Sequence, residues 1–258
     1  MSEKEQNKNQ EKTLFISDLH LDSTTPAITG TLLDFLAKRT NNCRALYILG
    51  DLFEAWVGDD DDTELSGSVA DALKAVSERG TDVYLMHGNR DFLIGEYYAS
   101  RCGATLLPEP TVITCHGLQI ALIHGDSLCT RDTDYMAFRA QVRDPQWQDM
   151  FLSKSLVERH MIAQQARQQS SKANSQKASD IMDVTPCEVV SLLQELQVNM
   201  LVHGHTHRPS VHTIQLEEPI NGQEKAVRIV LGDWHSKGWV LEFTDDGYEL
   251  KPFPLITE

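Results

Sequence analysis

The chain of 258 residues carries 38 acidic against 23 basic side chains, a formal net charge of −15, which excludes a nucleic-acid coat because phosphate contacts require a basic face. Its length suits one large domain or two small ones, with a core that needs no disulfide staple. The five cysteines are odd in number, scattered and without a C-x-x-C pair; with no leader-like stretch and no apolar run near the roughly 18 residues of a membrane span, they point to a reducing, cytoplasmic setting.

Residues 1–12 are nearly all charged or amide side chains and read as a disordered tail, leaving a domain over 13–258. Short apolar runs rich in β-formers then predict strands near 13–17, 45–49, 82–86, 120–123, 200–202, 229–231 and 240–243. Between the first three lie helical patterns, Leu32, Leu33 and Leu36 in one and Val69, Leu73 and Val76 in the next, which meets Gly80 as a stop signal. Helices alternating with strands imply βαβ units and the α/β class, while the strand-rich end implies a second, more antiparallel sheet.

Five short blocks sit where strands run out into loops: Asp18-Leu19-His20, Gly50-Asp51, Gly88-Asn89-Arg90-Asp91, His124-Gly125-Asp126 and His203-Gly204-His205-Thr206-His207. Singly, most of them are ordinary turn punctuation. The last is more telling, because alternate imidazoles leaving an apolar strand have little structural use. Together the blocks supply a two-metal site. Two divalent cations roughly 3.5–4 Å apart need about four protein ligands each and a carboxylate between them. Asp18, His20 and His207 can serve one ion, Asn89, His124 and His205 the other, and Asp51 can bridge. Oxygen and imidazole donors without thiolate favour Mn²⁺, Fe²⁺ or Zn²⁺ over a soft metal. A water shared by two such ions becomes hydroxide near neutral pH. Asp91 and Asp126 are expected to orient their neighbours, and His203 to serve as a structural hydrogen-bonding group.

In this order the blocks resemble the calcineurin-like metallophosphoesterase superfamily, whose motifs are D-x-H, GD, GNH[DE], H and GHxH. One position departs from that pattern: Arg90 stands where the superfamily usually has His. The swap, with the runs at 47–56 (YILGDLFEAW), 87–92 (HGNRDF), 124–130 (HGDSLCT) and 203–209 (HGHTHRP), is similar to the family of UDP-2,3-diacylglucosamine diphosphatases of lipid A biosynthesis. The resemblance implies a sandwich of two β-sheets flanked by helices, with the metals at its loop edge. It also implies hydrolysis of UDP-2,3-diacylglucosamine to UMP and 2,3-diacylglucosamine 1-phosphate, with two divalent ions, Mn²⁺ first among them. Asn89, Arg90 and His205 are then the catalytic residues. The leaving group is itself a phosphate monoester, so losing the usual His costs little general-acid help.

Residues of about 130–185 fall outside the minimal scaffold. They contain no Gly and few β-formers, and read as consecutive helices inserted between the fourth and fifth blocks. The first half is apolar and aromatic, while 153–179 holds five Lys or Arg against one Glu. Arg167, Ser170, Asn174 and Lys177 follow helical spacing, so they line one face as donors for a phosphosugar. The insert is expected to be a lid whose apolar half takes acyl chains and lets the protein visit the cytoplasmic face of the inner membrane as a peripheral protein. The resemblance adds Asp132 and Tyr135 as substrate contacts, beside Asn89, Arg90 and His205. No nucleic acid and no obligatory protein partner is implied. Rival readings are a soluble nucleotide pyrophosphatase, phosphodiesterase or nuclease of the same superfamily, a metal-free scaffold, and a non-catalytic lipid carrier. Asp59, Asp60, Asp61 and Asp62 read as a solvated acidic loop before a metal site, and no base is placed to make Cys129 a nucleophile.

Overall fold

Alternation along the first strands decides the layering. The computed structural model describes residues 12–174 and 181–256. In β1 (Lys12–Ile16) Leu14 and Ile16 enter one core cluster and Phe15 another; in β2 (Cys43–Leu49) Leu46 and Ile48 oppose Ala45, Tyr47 and Leu49 in the same way. Both faces of these strands are apolar, so both must be covered. The outer face packs against α1 (Pro26–Lys38), α2 (Glu64–Glu78) and α3 (Glu96–Arg101) through Leu32, Phe35, Leu36, Val69, Leu73, Val76 and Tyr98. A capping box between Thr63 and Ser66 starts α2, and Gly80, at φ 92°, lies just past its end.

The inner face meets a second sheet. β1 and β2 run parallel with β3 (Asp82–Met86) and β4 (Ala104–Leu107). The other sheet contains β5 (Thr111–Cys115), β6 (Leu118–Leu122), β7 (Met200–His203), β8 (Ser210–Ile220) and β9 (Gln223–Val230), in the order β5-β6-β7-β9-β8. Between the sheets Phe15 stacks on Tyr47 at 4.8 Å and Tyr47 on Tyr84 at 4.6 Å, against Ile120, Leu122, Val202 and Ile229. The helix α7 (Pro186–Leu196) covers the far side of the second sheet through Val189 and Leu193. The result is the expected α/β arrangement of two sheets flanked by helices.

The second sheet is mixed, with β6, β7 and β9 parallel neighbours and β5 and β8 antiparallel at its two edges, so it is the more antiparallel of the two sheets, as expected. Two other expectations are corrected. The C-terminal strands β10 (Gly238–Thr244) and β11 (Gly247–Phe253) return instead to the first sheet, where β10 lies antiparallel beside β1. With both faces of β1 buried, an open edge would leave its backbone N–H and C=O groups without partners; β10 closes that edge in the Thr13↔Phe243 register and sets Phe243 on Phe15. Lys12, assigned to the tail, opens β1; the rest of the expected tail lies outside the described residues. The strands β4, β5, β8 and β11 escaped the sequence reading because they are short or alternate with polar residues.

Within 130–185 the chain forms α4 (Thr133–Val142), α5 (Pro145–Leu152) and α6 (Leu156–Asn174). Asp132 caps α4 and Asp144 caps α5, each accepting backbone N–H groups. The insert is docked on the main body. Phe151 is buried, and Trp147, Leu156 and Ile162 pack on the outer core. Arg159 is 3% exposed and donates to Val57 O and Asp60 Oδ1, both at 2.7 Å. The acidic loop is thus more than a solvated run, because its carboxylates are held by the chain. Asp59 accepts Gly95 N, Tyr98 N and Trp56 Nε1, Asp60 and Asp61 hold Arg159 and His160 of α6, and Asp62 holds Arg101.

Trp234 is the largest fully buried side chain, edge-on to Phe35 and Phe253, and its indole N–H donates to Trp239 O at 3.2 Å. Trp234→Ala should cost about 3–5 kcal/mol in urea unfolding. A loss below about 1 kcal/mol would mean that this corner does not anchor the fold.

Candidate metal centre

The candidate ligands all lie just beyond the C-terminal ends of parallel strands: Asp18 and His20 after β1, Asp51 after β2, Asn89 after β3, His124 after β6, and His205 and His207 after β7. Stacking the sheets brings these five strand ends together, the place where open α/β sheets bind ligands. The loops cannot follow ordinary backbone paths there. Asp18, His20, Asp51, His205 and His207 all have φ between 50° and 65°, the left-handed region that L-residues seldom occupy. Two glycines permit the close approach: a Cβ at Gly88 would run into the Asp51 carboxylate and amide, and one at Gly204 into Asp18 and Ser17.

The strained loops are held by carboxylates. Asp91 accepts Leu52 N at 2.7 Å, Gly88 N at 2.8 Å and Asp51 N at 3.3 Å, tying the β2 and β3 loops together. Asp18 accepts His205 N at 3.0 Å on each oxygen, and also takes the Ser17 hydroxyl. Trp234 N donates to Asp18 O at 3.1 Å.

Two clusters result, Asp18 with His20 and His207, and Asp51 with His124 and His205. Asn89 Oδ1 completes the second, 3.1 Å from His124 Nε2 and 2.8 Å from His205 Nδ1. Asp51 Oδ2 lies 3.7 Å from both His20 Nε2 and His124 Nε2, which is where a bridging carboxylate belongs. His20 Nε2 and His207 Nε2 face each other at 3.2 Å.

Electrostatics shows that this nest calls for positive charge. Burial opposes the cationic form of His20, yet Glu54, Asp51 and Asp18 outweigh it and raise the group to about 9. Burial likewise opposes the His124 cation, and Asp51, Asp18 and Asp126 raise it to about 9. Burial lifts the Asp51 carboxyl, while Asp18 is held low in spite of burial by the surrounding imidazoles. His205 goes the other way, to about 3, because burial and the His124 cation both disfavour its charge. The donor set of carboxylate, amide oxygen and imidazole is electron-rich, with Asp18, Asp51 and His124 buried and His207 open to solvent, and it fits two divalent cations.

The other assignments fall out as follows. His203 Nδ1 donates to Gly204 O at 2.8 Å, and burial lowers its pKa to about 4, as suits a structural residue. Asp126 takes the Tyr135 hydroxyl at 2.5 Å and Arg139 Nε at 2.9 Å. Tyr135 stacks on His205 with ring centroids 6.0 Å apart. The Asp132 side chain is engaged as the α4 cap. Arg90 Nε is buried without a hydrogen-bond partner, and its backbone N–H donates to Asp51 Oδ1 at 2.8 Å. Arg167 is paired with Glu54 at 2.7 Å; Ser170 is half-buried on α6, the Asn174 side chain is not described, and Lys177 lies outside the described residues. Cys129 is buried, which pushes its thiol up to about 12.

Sequence reasoning missed Glu54, Glu109, Arg139 and Arg143. Glu109 accepts His124 N at 3.0 Å and Arg139 Nη2 at 3.1 Å, and Arg143 donates to Gly88 O at 2.9 Å. None sits in a ligand-like spacing, so no local signal could have found them.

A cation must displace the protons on His20 and His124, so affinity for a divalent ion should rise with pH up to about 9, by as much as about tenfold per unit for each proton released. The metal-free fold should show the opposite trend. A histidine raised from 6.5 to about 9 stabilises it fully below pH 6.5 and loses that contribution as pH rises through about 9. Calorimetric titration with Mn²⁺ and melting of the stripped protein between pH 6 and 9 check both signs.

A family model for calcineurin-like phosphoesterases matches residues 11–209. The chain is 53% identical over 243 residues to a UDP-2,3-diacylglucosamine hydrolase of Cellvibrio japonicus, covering 94% of this chain and 99% of the relative. A protein of the same name from Marinobacter nauticus is 53% identical over 230 residues, 89% and 92% of the two chains. One from Escherichia coli is 50% identical over 243 residues, 94% and 99%. With its ligand-bearing loops inside the matched region and its relatives aligned over nearly their whole length, the chain belongs to the calcineurin-like phosphoesterase family.

Proposed function

We propose that the protein hydrolyses the diphosphate bond of UDP-2,3-diacylglucosamine, releasing UMP and 2,3-diacylglucosamine 1-phosphate. The observation that carries this reading is the pairing of a two-cluster metal nest with a docked helical insert that leaves Phe138, Met150, Leu152, Val157 and Met161 each at least 40% exposed. Exposed apolar side chains beside the nest suit an acylated substrate better than a fully polar one. The names of the curated relatives agree with it.

Asp18, His20, His207 and Asp51 would hold one divalent ion, and Asp51, Asn89, His124 and His205 the other, with Mn²⁺ as the native metal. When bound, two such ions supply a water that loses its proton near neutral pH and screen charge on the phosphoryl oxygens. The chain does the rest. Arg90 offers a planar fork to the diphosphate oxygens, and its backbone is pinned for that by its N–H to Asp51 and by Trp56 N donating to its carbonyl at 3.1 Å. Asn89 directs its carbonyl oxygen at His124 and His205, which leaves its amide nitrogen to donate to a phosphoryl oxygen. His205 stays neutral at working pH, so one ring nitrogen can act as a ligand while the other, which keeps its proton, can donate a hydrogen bond at the reacting group.

The insert serves as the lid. Tyr135 and Arg167 border the nest, and Asp132, Ser170, Asn174 and Lys177 complete the head-group contacts, with acyl chains on the apolar side. Among the described residues no helix is long and apolar enough to cross a membrane. The exposed apolar side chains of α4, α5 and α6 suit reversible contact with the cytoplasmic face of the inner membrane.

Three measurements test this. Chelation should abolish hydrolysis and Mn²⁺ restore it. Each acyl methylene buried contributes about 0.8 kcal/mol, so three alone should raise kcat/KM for the diacylated over the deacylated substrate about 60-fold. Equal rates on both would sink the lid reading and favour a soluble nucleotide pyrophosphatase. Arg90→Lys keeps the charge but loses the fork, and should lower kcat on the diphosphate about 10²-fold, with a smaller loss on a simple activated phosphodiester.

A further inference from the structure

Glu54 has no part in the chemistry proposed above, yet it stands at a junction. Its backbone N–H donates to Leu21 O at 3.1 Å, which pins it beside the loop that carries Asp18 and His20. Its carboxylate is shared between two elements. Oε2 lies 2.8 Å from His20 Nδ1, and Oε1 accepts a hydrogen bond from Arg167 Nη2 at 2.7 Å. His20 meets the metal nest through its other nitrogen, Nε2, 3.7 Å from Asp51 Oδ2 and 3.2 Å from His207 Nε2. Arg167 belongs to α6, 113 positions along the chain from Glu54. One carboxylate thus touches a candidate ligand with one oxygen and the insert with the other.

An imidazole that binds a cation through Nε2 keeps its proton on Nδ1. A carboxylate on that proton fixes the tautomer and the ring plane and makes the ligand more basic. The 2.8 Å approach of Glu54 to His20 is an ion-pair contact and not an aligned hydrogen bond. Its quality therefore depends on what steers the carboxylate. The second oxygen is steered by a guanidinium, which holds a carboxylate more rigidly than an ammonium would. That bond uses one of the five N–H groups of Arg167, so the side chain can serve Glu54 and still offer donors to an anion.

We propose that Glu54 is a positioning residue that transmits the seating of the helical insert to the metal centre: α6, through Arg167, holds Glu54 on His20 and so tightens the grip of His20 on its ion. This rests on His20 being a ligand, and does not depend on which diphosphate the protein hydrolyses. Coupling of this kind is reciprocal, so the ion must seat the insert by the same factor as the insert tightens the ion.

The test uses metal-stripped full-length protein and Mn²⁺ alone, without substrate. Calorimetric affinities are measured for wild type, Arg167→Met, Glu54→Gln and the double variant, with His20→Ala identifying which binding step belongs to His20. Glu54→Gln should weaken that step about 10–100-fold, the usual cost of losing such a partner. Arg167→Met should weaken it about fivefold, Arg167→Lys less, and the double variant no more than Glu54→Gln alone. Mn²⁺ should also slow hydrogen exchange at the amides of 156–170 in wild type and not in Glu54→Gln. Wild-type affinity in Arg167→Met, or losses that simply add in the double variant, would overturn the proposal. Arg167 is 39% exposed, so its variants keep the core intact and decide the question even if Glu54→Gln fails to fold. Because no substrate is present, a negative result leaves the hydrolytic reading untouched, and loss of hydrolysis alone says nothing about the relay.

Discussion

The Asp51 carboxylate is the group around which the molecule is arranged. One of its oxygens lies 3.7 Å from imidazoles of two different loops, and the other takes the backbone N–H of Arg90. Its residue adopts φ 52°, and Gly88 has to lack a Cβ for it to fit. A buried carboxylate in left-handed backbone is unfavourable on both counts. It persists because Asp91 accepts three consecutive backbone N–H groups from 51–53 and a fourth from Gly88, and because the parallel strands beneath leave the loops no other path.

The sandwich explains why such strain is tolerable. Each inner strand is buried on both faces, so strand ends cannot shift without breaking two cores at once. The loops inherit that rigidity, and the ligands inherit it from the loops. Stability is spent at this rim: Asp18, Asp51, Asp126 and His124 are all buried there, and only mutual pairing or a cation makes that acceptable.

The insert adds a different kind of control. It is tied to the body by apolar packing at Phe151 and by Arg159 in the 57–60 loop, contacts remote from the nest. At the nest itself it reaches in through Tyr135, Arg139 and Arg167, each of which bonds a carboxylate rather than a candidate ligand. Asp126 and Glu54 therefore stand between the insert and the imidazoles of His124 and His20, and Glu109 between the insert and the His124 backbone N–H. Movement of α4 or α6 would be felt at the site through charge and orientation, without any ligand having to leave it.

The sequence by itself determined the candidate ligand types, their order and their place at strand ends, because Asp18, His20, Asp51, Asn89, His124, His205 and His207 each lie within a few residues of an apolar run whose period betrays the strand. It also marked the insert, since a Gly-free, β-poor stretch between two motifs is visible in composition alone. Only the tertiary structure decided what holds those ligands. Glu54, Glu109, Arg139 and Trp234 act through contacts between residues far apart in the chain and carry no local pattern. It likewise decided that β10 and β11 close the first sheet, because strand pairing answers to which edge remains open and apolar, a property of the assembled sheet and not of any one segment. The left-handed backbone at five of the seven candidate ligands belongs to the same class: no residue-type signal requires it at Asp or His, and the stacking of two sheets imposes it.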